Sequence, residues 1–164
     1  MKAVDDEALL LALLNSAPVV DGVPRDDLAD DRKAHGWFTA HAPSVPRVSA
    51  QALRECRTAL QAVVRGELAP ASLTPLLDGV IRRPVFTADS LDWTIEGDSV
   101  VVRAVLAWNA LRTAAPGRLR PCANTECALF LVDRSKGNTA RWCSMAVCGN
   151  RMKARRHYQR VRNV

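Results

Sequence analysis

The 164-residue sequence contains no run of about 18 apolar residues, the length that a helix needs to span a membrane. It also lacks the basic stretch that opens a secretory signal peptide, because Asp5, Asp6 and Glu7 precede a short leucine run. We therefore expect no membrane partner and a cytoplasmic location. Thiols stay reduced in that compartment, so paired cysteines there favour metal binding over disulfides.

Catalytic motifs are missing from residues 1–117. This part has no Gly-rich phosphate loop, no nucleophile elbow and no His/Glu metal signature. Its adjacent acids at 26–27 and 30–31 suit the positively polarised start of a helix. The histidines of the chain, which we interpret as ordinary surface or half-buried residues, are His35, His41 and His157. We therefore expect that the protein is not an enzyme.

Acidic residues are almost absent from the C-terminal segment. Residues 118–164 hold 11 Lys and Arg against 2 Asp and Glu, whereas residues 1–117 hold 12 against 15. The last 47 residues thus carry more than the whole net charge of +6. Such a basic segment fits a nucleic-acid partner, although a solvated helix would show the same composition.

Apolar residues recur at helical spacing through most of residues 1–117. The pattern predicts helices over residues 5–15, 28–41, 49–65 and 99–112, and a short helix over 73–81 that ends before Pro84. Residues 85–87 and 91–96 predict a β-hairpin. Ser49 is the expected N-cap of the third helix and Gly66 its C-cap. Cys56 lies on the apolar stripe of that helix, which predicts a core position.

Pro116 and Gly117 end the last of these helices and predict a domain boundary. We expect a helical domain with a small β-hairpin at residues 1–117 and a zinc module at residues 118–164. The predicted fold class is α+β, mostly helical.

Four of the five cysteines form two pairs, Cys122-x4-Cys127 and Cys143-x4-Cys148. Zn²⁺ takes four thiolates in a tetrahedron, and two short-looped pairs supply one most simply. The spacing predicts a single structural zinc ion on these four residues. Two disulfides, or four unrelated thiols, are the alternative.

The residues around the cysteines predict a knuckle, a hairpin and a helix, an order that resembles a treble clef. The knuckle spans residues 121–127, the hairpin strands are 130–132 and 141–142, and the helix runs over 145–162 with Ser144 as its candidate N-cap. Gly149 next to a ligand would allow a close approach of the backbone.

The last predicted helix has two distinct faces. Its basic residues are the candidates for contacts with DNA phosphates: Lys153, Arg155, Arg156, Arg160 and Arg162. A mostly apolar stripe holds Val147, Arg151, Ala154, Tyr158 and Val161. Arg151 is therefore expected to point inward and to pair either with a carboxylate, for which Asp133 is a candidate, or with backbone carbonyls.

With these residues identified, the chain resembles the CGNR zinc-finger family. The match includes both cysteine pairs, Phe130, Asp133 and the run Cys148-Gly149-Asn150-Arg151. The resemblance implies zinc on the four cysteines, structural roles for Gly149, Asn150 and Arg151, and stress-responsive regulation of transcription in bacteria. Residues 1–117 resemble the ABATE domain that usually precedes this zinc finger, through the leucine run ending at Asn15 and through Trp37.

We therefore expect a zinc-binding transcription regulator that binds DNA through the zinc finger and its basic helix. Residues 1–117 would sense an unidentified small molecule or form a homodimer. The alternative is a structural zinc module for protein–protein interaction, without sequence-specific DNA binding.

Overall fold

The computed structural model describes residues 5–20 and 22–162 and combines helices with short strands. The α-helices are α1 (Asp6–Leu14), α2 (Asp31–His41), α3 (Ala50–Arg65), α4 (Val100–Ala114) and α5 (Asn150–Arg162). Antiparallel pairs join β1 (Val19–Val20) to β2 (Val23–Pro24), β3 (Ile81–Phe86) to β4 (Leu91–Glu96), and β5 (Leu119–Pro121) to β6 (Phe130–Val132). A 3-10 helix spans Pro70–Leu77, and a π-helical turn at Met145–Gly149 leads into α5. The predicted mixture of helices and small hairpins is confirmed.

Side-chain caps fix where the helices begin, as the sequence predicts for α3. The Ser49 hydroxyl accepts a hydrogen bond from the backbone N–H of Ala52 at 3.1 Å. Gly66 ends the helix with a φ of 76°, a left-handed conformation that glycine adopts without strain. Ser99 caps α4 in the same way, since its hydroxyl accepts from the N–H of Val102.

The hydrophobic core lies where α1, α3 and α4 pack together. Its fully buried members include Leu9, Leu10, Leu13, Leu53, Leu60, Val100 and Ala104. Cys56 is completely buried among them, as predicted. Burial raises the pKa of its thiol to about 12, because a thiolate would be poorly solvated there.

A buried arginine ties the segment after α1 to α3. Arg57 is only 7% exposed and forms a two-pronged ion pair with Asp26, with both N···O distances at 2.8 Å. It also donates to the Ser16 hydroxyl at 2.9 Å. The hydrogen bonds from Arg57 lower the pKa of Asp26, as expected where a cation stabilises the carboxylate.

The prediction of a helix over residues 73–81 that stops before Pro84 is wrong. The 3-10 helix already ends at Leu77, and Ile81 begins β3. Pro84 lies inside β3, opposite Trp93. Proline is tolerated there because β3 has one strand neighbour among the described residues, so its other edge needs no backbone donor.

The C-terminal segment packs directly on the helical core. Phe130 of β6 is 1% exposed and belongs to the same buried cluster as the leucines of α1. The Asn15 side chain donates to the Phe130 carbonyl at 3.1 Å and accepts from its N–H at 2.7 Å. Arg65 lies over the Phe130 ring, 5.0 Å from its centroid. Phe130 therefore anchors this segment to α1 and α3.

Within residues 5–20 and 22–162, we find no helix with the length and hydropathy that crossing a bilayer requires.

Candidate metal centre

The four paired cysteines converge on one point. The sulfur atoms of Cys122, Cys127, Cys143 and Cys148 all lie within 4.8 Å of one another. The Cys143 sulfur is 3.7 Å from that of Cys127 and 3.6 Å from that of Cys148. A tetrahedron of sulfurs at about 2.3 Å from zinc has edges of about 3.8 Å. The four side chains therefore fit a single zinc ion.

The disulfide alternative does not describe these residues. All four are free cysteines, and the distances of 3.7 and 3.6 Å from the Cys143 sulfur to those of Cys127 and Cys148 are far longer than the roughly 2.05 Å of a sulfur–sulfur bond. Four thiolates also complete the usual coordination of zinc and leave no position for a reacting water. Such a donor set suits a structural ion.

Short, local backbone features bring each ligand into place. Cys122 follows β5, and its N–H continues the hairpin ladder by donating to the Leu129 carbonyl at 2.8 Å. Cys127 closes the knuckle by donating to the Asn124 carbonyl at 2.9 Å. The Cys143 N–H points at the Cys122 sulfur, 3.4 Å away, and Cys148 lies in the π-helical turn.

Asn124 supports the ligands from inside the knuckle. Its side chain is completely buried, and its amide nitrogen donates to the Cys148 sulfur at 3.5 Å. Its amide oxygen accepts from the N–H of Glu126 at 3.3 Å. Hydrogen bonds to sulfur disperse the negative charge that four thiolates bring to a zinc ion.

The thiols respond differently to their surroundings. Burial raises the pKa of Cys127 to about 11 and also raises that of Cys143. Burial acts in the same direction on Cys148, but the hydrogen bond from Asn124 and contacts with the neighbouring thiols lower its pKa overall. Because zinc binds the thiolate, metal binding releases protons from this cluster.

Gly149 lies where the neighbouring side chains leave little room for a Cβ atom. A Cβ added there would lie 2.7 Å from the Met145 sulfur and 3.3 Å from Cδ1 of Trp142. The atoms that crowd this position belong to the side chains of Met145 and Trp142, whereas the sequence predicted a close approach of the backbone. Ser144, the candidate N-cap, makes no capping hydrogen bond through its side chain.

The predicted strand at residues 141–142 is wrong. The partner of β6 is β5, in the register Leu119 to Val132 and Pro121 to Phe130. The knuckle thus forms the loop of the hairpin. Arg141 contributes one backbone contact, in which its carbonyl accepts from the N–H of Ala123 at 2.8 Å.

The predicted inward position of Arg151 and its pairing with Asp133 are also wrong. Arg151 is exposed, whereas Asp133 is 1% exposed and pairs with Arg120 at 2.6 Å. Burial alone would raise the pKa of Asp133, but hydrogen bonds from Ser135 and Ala140 and the charge of Arg120 lower it. Arg120 rather than Arg151 pairs with Asp133, because the pairing of β5 with β6 places Arg120 beside this carboxylate.

All five predicted phosphate-contact residues of α5 are exposed: Lys153, Arg155, Arg156, Arg160 and Arg162. Arg155 also forms an ion pair with Glu126 of the knuckle. Of the residues implied to be structural, Gly149 is buried, while Asn150 is exposed and donates to the Ala146 carbonyl at 3.3 Å.

Sequence reasoning did not identify the supporting residues Asn124 and Arg120. For Asn124, a signal was present, since an asparagine two residues after a ligand often turns the backbone with its side chain. No comparable signal marks Arg120, which requires the strand pairing to be known.

Comparison with known proteins supports this geometry. Residues 118–161 match the family model of the CGNR zinc finger. No curated protein matches the chain. The match lies over the four converging cysteines and α5, so the C-terminal segment is similar to a CGNR zinc finger, and its four cysteines hold one structural zinc ion.

Proposed function

We propose that the protein is a bacterial transcription regulator that binds DNA through its zinc finger and α5. The observation that carries this proposal is the charge of α5. Residues 150–162 contain six Lys and Arg and no Asp or Glu, and all six basic side chains are exposed. A polyanion such as DNA binds best to surfaces of this kind.

The zinc site supports the proposal because it fixes the start of the basic helix. Cys148 lies in the turn that runs into α5, and Arg155 pairs with Glu126 of the knuckle. Zinc binding would therefore set the direction in which α5 leaves the module. DNA binding should accordingly require the metal.

In this proposal the rest of the chain is an ABATE-like domain that senses a ligand or forms a homodimer in the cytoplasm. Catalysis is not part of the function. Four thiolate ligands would leave a bound zinc ion no open coordination position, and residues 1–117 contain none of the catalytic motifs considered above.

Salt-dependent binding to DNA provides the test. Replacing Lys153, Arg156 and Arg160 with alanine should weaken binding to every duplex and reduce the slope of log affinity against log salt by about one per lost contact. The matched control is Arg83→Ala, which removes an exposed arginine of β3. An unchanged slope in the triple variant, measured by fluorescence anisotropy, would overturn the proposal.

Sequence preference needs a separate experiment, because phosphate contacts alone give affinity without choice of sequence. Selection of bound DNA from a random pool should enrich a motif with zinc-loaded protein and lose that motif when a chelator is present. Enrichment that survives removal of the metal would argue against the zinc finger as the reader.

A zinc module for protein–protein interaction is the second candidate. Its support is apolar surface beside the metal, where Met145 is 53% and Val147 55% exposed. A gel shift with mixed genomic DNA discriminates the two functions. Binding at low and moderate salt supports the regulator, and no binding at either supports the interaction module.

A further inference from the structure

A groove opens between the β3–β4 hairpin and α4. It encloses about 660 Å³, and Leu106, Ala110 and Leu111 of α4 form one wall. Trp93 and Ile95 of β4 form the other wall. The side chains of Trp93 and Ile95 are 48% and 36% exposed, and that of Leu106 is 37% exposed. The groove thus offers apolar walls that remain accessible to solvent.

Carboxylates lie at one end of this groove, at the N-terminus of α1. Asp5, Asp6 and Glu7 all line it. Glu7 is paired with Arg134, and Asp6 is paired with Arg103 at 3.6 Å. The Asp5 carboxylate accepts from the N–H groups of Glu7 and Ala8 through one oxygen and forms no ion pair within the described residues. Arg82, the basic residue that lines the groove, instead lies over the Trp93 ring at 4.4 Å. This end of the groove therefore has carboxylate charge available for a cationic side chain of a partner.

Helix α5 has the complementary properties. No residue of α5 is buried, and Tyr158 and Val161 are 69% and 62% exposed. Ala154, Tyr158 and Val161 share one stripe at the spacing i, i+4 and i+7, and Arg162 lies beside that stripe. A 13-residue helix that buries none of its residues gains little from packing and is marginal in water, so this face should be covered by a partner.

We propose that α5 of a second copy lies in this groove, with Tyr158 and Val161 against α4 and β4 and with Arg162 beside Asp5 and Asp6. An amphipathic helix anchored in an apolar groove by residues at i and i+3 is a recurring mode of recognition. The groove volume suits a few large side chains rather than a whole domain.

The arrangement also closes on itself. If each copy places its α5 in the groove of the other, the two contacts are related by a two-fold axis and form a dimer that does not extend into a fibre. Lys153, Arg156 and Arg160 lie on the opposite side of α5 and would stay exposed. The dimer is therefore independent of whether DNA is the ligand.

Photo-cross-linking of the zinc-loaded full chain tests the contact itself. With p-benzoylphenylalanine in place of Tyr158, irradiation should give a covalent dimer whose attachment maps to residues 93–95 or 106–114. The same group in place of Gln159, on the far side of α5, should give none. Absence of a covalent dimer, attachment elsewhere, or attachment only within one chain would overturn the proposal.

Sedimentation of variants gives a second and independent test. The wild-type protein should be a dimer, and Ala110→Glu and Tyr158→Glu should each weaken the dimer at least about tenfold. Ala110 is exposed on a helix, so glutamate there should leave the monomer folded. Asn109→Glu, outside the groove, is the matched control. A wild-type monomer at all concentrations, or a variant dimer of wild-type strength, would overturn the proposal.

The two proposals can fail separately. Ala110→Glu should become monomeric yet keep its zinc and the salt-dependent DNA binding of each α5. A dimer that binds no DNA would leave this interface intact and refute only the proposed function.

Discussion

The helical core and the zinc finger are stabilised in different ways. In the core, α1, α3 and α4 bury leucines and valines from nearly every turn. In the zinc finger, by contrast, the buried side chains are mainly the ligands Cys122 and Cys148, the polar Asn124 and Asp133, and the β6 residues Phe130 and Leu131. Burial of apolar surface can hold the first region, whereas the second has too little of it and depends on the metal.

The largest predicted effect separates the two regions. Cys148→Ser should abolish tight zinc binding, since three thiolates no longer complete the tetrahedron. Backbone amides of residues 122–162 should then lose protection in hydrogen exchange, while those of α1, α3 and α4 keep theirs. Metal content and exchange measured by mass spectrometry check both parts.

Cys56→Ala is the matched control for that experiment. It removes a buried thiol that is not a ligand, so zinc content should stay at one ion per chain while stability falls by about 1 kcal/mol. Loss of protection throughout α1, α3 and α4 in Cys148→Ser would contradict the division into two differently stabilised regions.

Phe130 links the two regions, because it lies in the zinc finger and is buried in the helical core. Phe130→Ala should lower the free energy of unfolding of the zinc-loaded protein by about 3–5 kcal/mol, as for other buried phenylalanines. Urea unfolding followed by circular dichroism measures the change. A loss of less than about 1 kcal/mol would show that the zinc finger is not anchored through this ring.

In both the helical core and the zinc finger, the features that the sequence predicted depend on residues close together in the chain. The helices of the core were predictable because apolar spacing and caps such as Ser49 and Gly66 act within one turn of chain. The zinc ligands were predictable because two short cysteine pairs supply the four thiolates that a structural zinc ion takes. In both cases the signal lies in nearby residues.

The contacts that join distant residues could not be predicted in this way. Asn15 and Phe130 are 115 residues apart, and neither has a pattern that names the other. The sequence offered Arg151 as the partner of Asp133, and only the pairing of β5 with β6 shows that Arg120 occupies that place. Pro84 was misread because proline stops a helix but is accepted at the edge of a sheet.

The stability of the helical region should depend on pH, since this region contains the Arg57–Asp26 ion pair. Hydrogen bonds from Arg57 hold the pKa of Asp26 below its usual value. The pair therefore stabilises the fold above about pH 4, and this contribution disappears as the pH falls through the lowered pKa. Asp26→Asn should cost about 1–3 kcal/mol at neutral pH, and the difference from wild type should shrink below pH 4.

Unfolding by urea at a series of pH values measures that difference. Asp27→Asn is the control, because Asp27 is exposed and makes no ion pair within the part of the chain that the structure covers. A constant difference between wild type and Asp26→Asn down to pH 2 would show that the charge of Asp26 is not what stabilises the contact.

The smallest predicted effect concerns the turn that carries the last ligand. Gly149→Ala gains up to about 1 kcal/mol of helix propensity, but its Cβ would lie 2.7 Å from the Met145 sulfur. Met145 is half exposed and flexible, so it can move, and the net loss of stability should be below about 1 kcal/mol. In a Met145→Ala background the same change should be neutral or stabilising, as measured by urea unfolding of the zinc-loaded protein. An equal loss in both backgrounds would assign the clash to Trp142, whose Cδ1 is 3.3 Å from the added Cβ.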